Sequence, residues 1–276
     1  MTDIMARPRR IDIGEVMNRT FGAIGPNFVN FFLLSMILAA IPSMIISVGI
    51  YVLLPALTDA MEYEAAIFAF LGITMILALL LMVPGYVLIG AVTHGSIVHF
   101  NGGRTTFGEC LSSGLKYSLA LIGLGFATFF GLILWYLLLF IPAILAMVRW
   151  AVAGPSLVVE KRGVWEAFKR SNELTRDNRW RVFVLGLLYF AISSLISFSI
   201  SFVGIMLVGL PTAATTENPF ATPDFSTAAA WVMQGVQVIY TSLNAMILAV
   251  GQTALYYELC RVKEGTTSEE LAKVFD

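Results

Sequence analysis

The chain has 276 residues, 58% of them hydrophobic and 13% charged, with a mean hydropathy of +0.83. An ordinary soluble domain carries about 25% charged residues, so 17 basic and 18 acidic side chains are too few to coat a water-facing surface of this length. The composition excludes a soluble enzyme, a disordered chain and a nucleic-acid binder, and it makes the lipid bilayer the working solvent.

A membrane-spanning helix needs about 20 mostly apolar residues. In chain order the apolar runs predict crossings over 27–54 and 65–100, then a long stretch from Tyr117 to Val159. As one helix that stretch would measure about 65 Å at 1.5 Å per residue, twice the hydrocarbon thickness. It must fold back, and Phe140-Ile141-Pro142 is the expected turn because proline interrupts the backbone ladder. Crossings are therefore expected over 117–140 and 142–160, followed by 181–210 and 227–260. The expected fold class is an all-α integral membrane protein, one polytopic domain of six transmembrane helices.

The charges assign the sides. Arg7, Arg9, Arg10 and Arg19 precede the first crossing, and Arg104 and Lys116 separate the second from the third. Lys161, Arg162, Lys169, Arg170, Arg176, Arg179 and Arg181 lie between the fourth and fifth, and Arg261, Lys263 and Lys273 follow the sixth. The alternate loops carry Asp59, Glu62, Glu64, Glu217 and Asp224 instead. The positive-inside rule then places both termini in the cytoplasm. No cleavable signal peptide is apparent, since the first apolar run starts near residue 28 and is too long for one. The loop 211–226 is small, polar and proline-containing, and is expected to be a mobile external loop.

Each cytoplasmic segment repeats one pattern, a capping residue followed three positions later by glutamate: Asp12 and Glu15, Thr106 and Glu109, Gly163 and Glu166, Thr267 and Glu270. This is helix-start chemistry. Gly102-Gly103, Gly163 and Gly265 stand where left-handed stop residues are wanted. The chain thus reads as three hairpin units, each a short amphipathic cytoplasmic interfacial helix and two crossings, with a fourth short helix at the end. Trp165, Lys169, Arg170, Arg176, Arg179 and Trp180 give the third such helix the aromatic and basic character of a headgroup contact.

The segment from Leu139 to Phe190 resembles the membrane-domain family associated with bacterial glycerophosphoryl diester phosphodiesterases, and related stand-alone inner-membrane proteins of unassigned function. The matching elements are Pro142, Arg149-Trp150, Gly154-Pro155, Glu160 with Gly163, and the helix through Glu166-Ala167, Arg170-Ser171 and Leu174-Thr175. In the fused members a separate soluble domain performs the hydrolysis. The resemblance therefore implies a fold and a bacterial cytoplasmic (inner) membrane location, and it carries over no catalytic residues.

Arg149 is the one charge inside a predicted crossing, about seven residues and so about 10 Å from the outer surface. A charge at that depth needs a partner or an aqueous cavity; a structural clamp beside Trp150 and a ligand or lipid-phosphate contact both remain open. Gln234, Gln237, Thr241 and Asn244 share one face of the sixth helix, and Ser193, Ser197 and Ser201 one face of the fifth. Such residues let membrane helices approach and hydrogen-bond, or they line a polar cavity. His94 and His99, five apart, cannot hold one metal from a regular helix. Glu258, beside Tyr256-Tyr257, should pair with a nearby cation. Cys110 and Cys260 fall at the cytoplasmic face, where thiols stay reduced.

Zinc-protease, Walker and nucleophile-elbow motifs are absent, and no catalytic residue, metal site or cofactor is expected. The expected function is a non-enzymatic membrane module that engages anionic phospholipid headgroups, a membrane protein partner or a second copy of itself. A small transporter or channel using a cavity between helices five and six is the alternative.

Overall fold

The computed structural model of the chain describes residues 10–60, 62–138, 140–208 and 228–265. These are all helical: α1 Ile13–Ser35, a π-helical turn Met36–Ala40, α2 Ile41–Ala60, α3 Tyr63–Phe100, α4 Phe107–Lys116, α5 Ser118–Leu138, α6 Phe140–Trp150, α7 Ala153–Glu160, α8 Val164–Thr175, α9 Arg179–Val208 and α10 Ala228–Glu264. Six stretches are long and apolar enough to cross a membrane: Ile13–Ile50, Ile67–Phe100, Ser118–Tyr136, Ile141–Glu160, Arg179–Phe202 and Ala230–Glu264. This is the make-up of a multi-pass membrane protein. The start at Thr267, the loop 211–226, Arg7, Arg9 and Lys273 lie outside the described residues.

The helix starts follow the capping pattern unevenly. Thr106 and Glu109 form a complete capping box: the Thr106 hydroxyl accepts from the Glu109 amide at 3.3 Å, and Glu109 accepts from the Thr106 amide at 2.8 Å. The bond from the Thr106 amide, with help from the Thr106 hydroxyl, holds the Glu109 carboxyl below its ordinary value. Asp12 caps α1 by accepting from Gly14 at 2.8 Å. Gly163, lacking a side chain, starts α8 without a side-chain cap. The expected stop at Gly163 is displaced too, because Lys161 takes the left-handed conformation (φ 51°) while Gly163 is extended. Gly102 and Gly265 do end their helices with positive φ.

The first short helix is not separate from the first crossing. Nothing between Asp12 and Phe28 breaks the backbone, and Pro26 is absorbed inside α1, so one helix runs from Ile13. The π turn at Met36–Ala40 directly precedes Pro42. Proline donates no amide and its ring collides with the carbonyl four residues back; a locally wider turn accommodates both defects.

The short helices turn back into the protein. At 38 and 37 residues, α3 and α10 reach about 55 Å each at 1.5 Å per residue, well beyond a 30 Å hydrocarbon layer. Their projecting ends on the charged side of the protein are covered by α4 and α8. Helix α4 doubles back along α3, burying Cys110 and Gly114. The approach is close: a Cβ on Gly114 would stand 2.5 Å from the Val87 carbonyl oxygen and 3.0 Å from Ala91. Helix α8 buries Ala167, Phe168, Ser171, Leu174 and Thr175 against α5, α6, α7 and α10. The apolar stripes expected to rest on headgroups are thus covered by protein.

Three buried clusters hold this half together. One joins Ile11 and Val16 to Val152, Leu174, Val182 and Tyr256; the second joins Phe31 and Leu34 to Val92, Cys110 and Val250; the third joins Leu121 and Leu124 to Leu157 and Phe168. In the opposite half the most apolar stretches of α3 and α9 contain no buried residue. Apolar side chains exposed there, such as Phe68, Ile76, Phe190 and Phe198, suit lipid contact.

Gly114→Ala should lower stability by about 1–3 kcal/mol through overpacking. Gly108→Ala, whose Cβ would meet nothing within 4 Å, should leave it unchanged or slightly raised. Thermal unfolding of the two variants in detergent measures the difference; equal midpoints would contradict the α3–α4 contact.

Candidate functional site at the charged end

Where α1, α7, α8 and α10 converge, two acids are each shared among several partners. Glu258 of α10 is only 1% exposed. It accepts from the Arg19 guanidinium and pairs with Arg261 at 3.4 Å. Arg19 also pairs with Glu15 at 3.0 Å and stacks over the Tyr257 ring at 4.8 Å. Glu160, at the end of α7, pairs with Arg162 and with Arg170 at 2.7 Å, and accepts from the Tyr256 hydroxyl at 2.8 Å. Arg170 reaches on to Glu264. Burial opposes the charge of Arg170, but its bonds to Glu160 and Glu264 outweigh that effect and strengthen its hold on the proton.

Further ties close the ring. Lys263 pairs with Asp177 at 3.0 Å and donates to the Glu173 carbonyl; the bond from Lys263 holds the Asp177 carboxyl below its usual range. Asn178 accepts from the Ile11 amide at 3.1 Å, and Arg181 donates to the Ile11 carbonyl. The chain ahead of α1 is thereby pinned to the start of α9.

Arg149 occupies the last turn of α6, just before the break at Ala151-Val152. One hydroxyl bridges that break: Ser171 donates to the Arg149 carbonyl at 2.8 Å and accepts from the Val152 amide at 3.3 Å. Arg149 therefore lies level with helix α8, which folds back to meet it. Its Nε is buried without a hydrogen-bond partner. Trp150 packs on Phe168, ring centroids 5.0 Å apart, and abuts Gly131.

The expected headgroup residues divide into two groups. Trp165 and Trp180 are 80% and 74% exposed, and Lys169 and Arg176 are exposed with them. Arg170 instead faces the two glutamates, and Arg179 donates to Asn172 at 2.9 Å. The amide face of α10 divides as well. Gln234 donates to Ser47 of α2 at 3.4 Å, Gln237 is exposed, Thr241 is half-buried, and Asn244 accepts from Tyr189 of α9 and donates to Tyr240 at 3.0 Å.

Between α9 and α10 lies an open cavity of about 440 Å³, lined by Ser193, Ser194, Ser197, Ser201, Phe190, Phe198 and Tyr240. The serine stripe forms its wall; the amides do not line it. Tyr240 donates to the Ser193 carbonyl at 3.2 Å, continuing a hydrogen-bonded chain from Tyr189 through Asn244. Cys110, under α4, is buried, which pushes its thiol pKa up and leaves it a poor nucleophile. Among the described residues no group of three His, Cys, Asp or Glu side chains is placed to hold a metal ion.

Sequence reasoning found Glu258 and missed Ser171, Asn178 and the role of Glu160. Glu160 entered the sequence reading only as one of the residues that carry the family resemblance, with no role attached. Ser171 gave no signal, because its task depends on a helix break that periodicity does not mark.

Glu258→Leu should destabilise the protein by about 3–5 kcal/mol, because it strands Arg19 beside a buried site. Adding Arg19→Met should recover part of the loss. A double-mutant cycle by thermal unfolding in detergent reads the coupling, and additive losses would exclude it.

No curated protein and no solved structure matches the chain, and nothing ties it to the phosphodiesterase-associated domain that residues 139–190 resemble. Residues 19–259 match the family described as a domain of unknown function, DUF7847, a span that includes the converging helices and most of the charged ring, and the chain belongs to that family.

Proposed function

We propose that the protein is a non-enzymatic module of the bacterial cytoplasmic membrane, with both termini in the cytoplasm, that engages anionic phospholipid headgroups at its charged end. The observation that supports this reading is the division of α8. Its inner face is buried, while Trp165, Lys169 and Arg176, with Trp180 just beyond, stay exposed. Tryptophan rings favour the headgroup level, and each cation near an anionic surface adds about 1 kcal/mol of attraction. In this reading the three helix pairs anchor the module and α8 lies where the bilayer meets water. Such a surface can also seat a membrane protein partner or a second copy of the chain. The resemblance of residues 139–190 to membrane domains fused to phosphodiesterases agrees with a location beside lipid headgroups.

A second reading rests on the cavity between α9 and α10: a path for a small polar solute past Ser193, Ser197 and Tyr240.

Native mass spectrometry separates the readings. The wild-type protein should retain phosphatidylglycerol over phosphatidylcholine, and Lys169→Glu with Arg176→Glu should cut that retention severalfold. Retention indifferent to headgroup charge and to both substitutions would overturn the lipid reading. For the second reading, proteoliposomes should swell in glycerol faster than empty vesicles, and Asn244→Leu should abolish the excess; equal swelling rates would reject a solute path for this probe.

A further inference from the structure

The described cations at the charged end fall into three groups. Arg19, Arg162, Arg170, Arg261 and Lys263 are ion-paired with acids. Arg179 and Arg181 donate to the neutral oxygens of Asn172 and Ile11. Arg10, Arg104, Lys116, Lys161, Lys169 and Arg176 are exposed. Arg149 fits none of these: its Nε is enclosed and unbonded, as is that of Arg179, but unlike Arg179 the half-buried Arg149 shows no side-chain hydrogen bond or ion pair among the described residues. Its own carbonyl is already engaged by Ser171. A guanidinium always carries its charge, and such a charge beside hydrocarbon calls for a counter-ion or water.

The surroundings indicate which counter-ion. Ile141, Leu145 and Arg149 follow one another at intervals of four along α6, so they lie on one side of that helix. Ile141 is 69% and Leu145 45% exposed, so an apolar lane leads down α6 from its far end and stops at the half-buried arginine. From Ile141 to Arg149 the rise is about 12 Å, close to the depth of one leaflet's hydrocarbon. A charged stop at the foot of a leaflet-deep apolar lane matches an amphiphile whose anionic head lies at the charged end. The planar fork of an arginine fits a phosphate with two parallel hydrogen bonds.

We propose that Arg149 is the phosphate-recognising residue of a phospholipid site on α6, with one acyl chain lying along Leu145 and Ile141. The Ser171 bridge holds the Arg149 backbone in place. This site deepens the proposed headgroup contact but is distinct from the exposed cations of α8.

The test uses the full chain in detergent, titrated with phosphatidylglycerol and read by native mass spectrometry. Wild type should retain one lipid more tightly than the rest, and Arg149→Gln should weaken that lipid about tenfold while Arg149→Lys weakens it less. Lys169→Glu with Arg176→Glu should leave that single lipid in place. Loss of the tight lipid with the α8 pair but not with Arg149→Gln would overturn this site and keep the surface reading; if the α8 pair also leaves the remaining, weaker lipids in place, the surface reading fails while this site stands. Unchanged retention in Arg149→Gln overturns the proposal. Should Arg149→Gln fail to fold, the wild-type protein still decides: phosphatidylglycerol with a photoreactive headgroup should crosslink within residues 141–162, and crosslinks found only elsewhere overturn it. Inorganic phosphate should not displace the lipid at millimolar concentration; displacement would identify a free-phosphate site instead.

Discussion

A carboxylate taken almost wholly out of solvent cannot stand alone, and Glu258 meets that constraint by drawing two arginines from different parts of the chain. Arg19 comes from the start of α1 and Arg261 from the end of α10. Glu160 does the same between α7, α8 and α10, through Arg170 and the Tyr256 hydroxyl. In a bilayer, apolar surfaces gain little by leaving lipid for protein, so packing, small residues and polar contacts decide which helices associate. These ties set which turn of α10 faces which turn of α1 and α7. The buried clusters lie in the same half of the molecule because the charged ring fixes the helices at that end and leaves the other end to lipid.

The two doubled-back helices follow from the same arrangement. Both α3 and α10 overrun the hydrocarbon, and their projecting ends are apolar enough to need cover. Helix α4 supplies it by reversing along α3, and α8 by reversing along α7 and α6 and meeting α10. Their amphipathic patterns are therefore answered by protein on the apolar side, and what faces outward on α8 is the aromatic and basic remainder. A helix can serve as both a clamp and a surface because its two faces do different work. Arg170 and Ser171 turn inward to Glu160 and the α6–α7 break, while Lys169 and Arg176 turn outward.

Much of this was legible in the residue pattern. Apolar runs located six stretches of spanning length, because hydropathy over about 20 residues is a strong signal. Thr106 and Glu109 marked the start of α4, and Glu258 announced a paired acid. The misreadings have physical reasons. Asp12 caps a helix that simply continues into the first crossing, and a capping pattern does not say how far its helix runs. Gly163 looked like a stop, but Lys161 accepted the left-handed turn two residues earlier. The break after Trp150 was invisible because its stability comes from Ser171, nineteen positions from Val152. The inward face of α8 was misassigned because an amphipathic stripe looks the same whether protein or headgroups cover it.

Arg149 and Ser171 belong to one device. A helix break leaves backbone groups that need partners in an apolar setting, and the Ser171 hydroxyl answers one group on each side of it. This fixes the arginine's backbone without engaging its guanidinium. A recognition group held by its main chain and left unpaired at its tip loses little freedom when a ligand arrives, which is the essence of preorganisation. The buried glutamates illustrate the contrast. Arg19 and Arg170, whose charges are satisfied within the protein, hold helices together, whereas Arg149 has the same chemistry with its counter-charge still to come from the membrane.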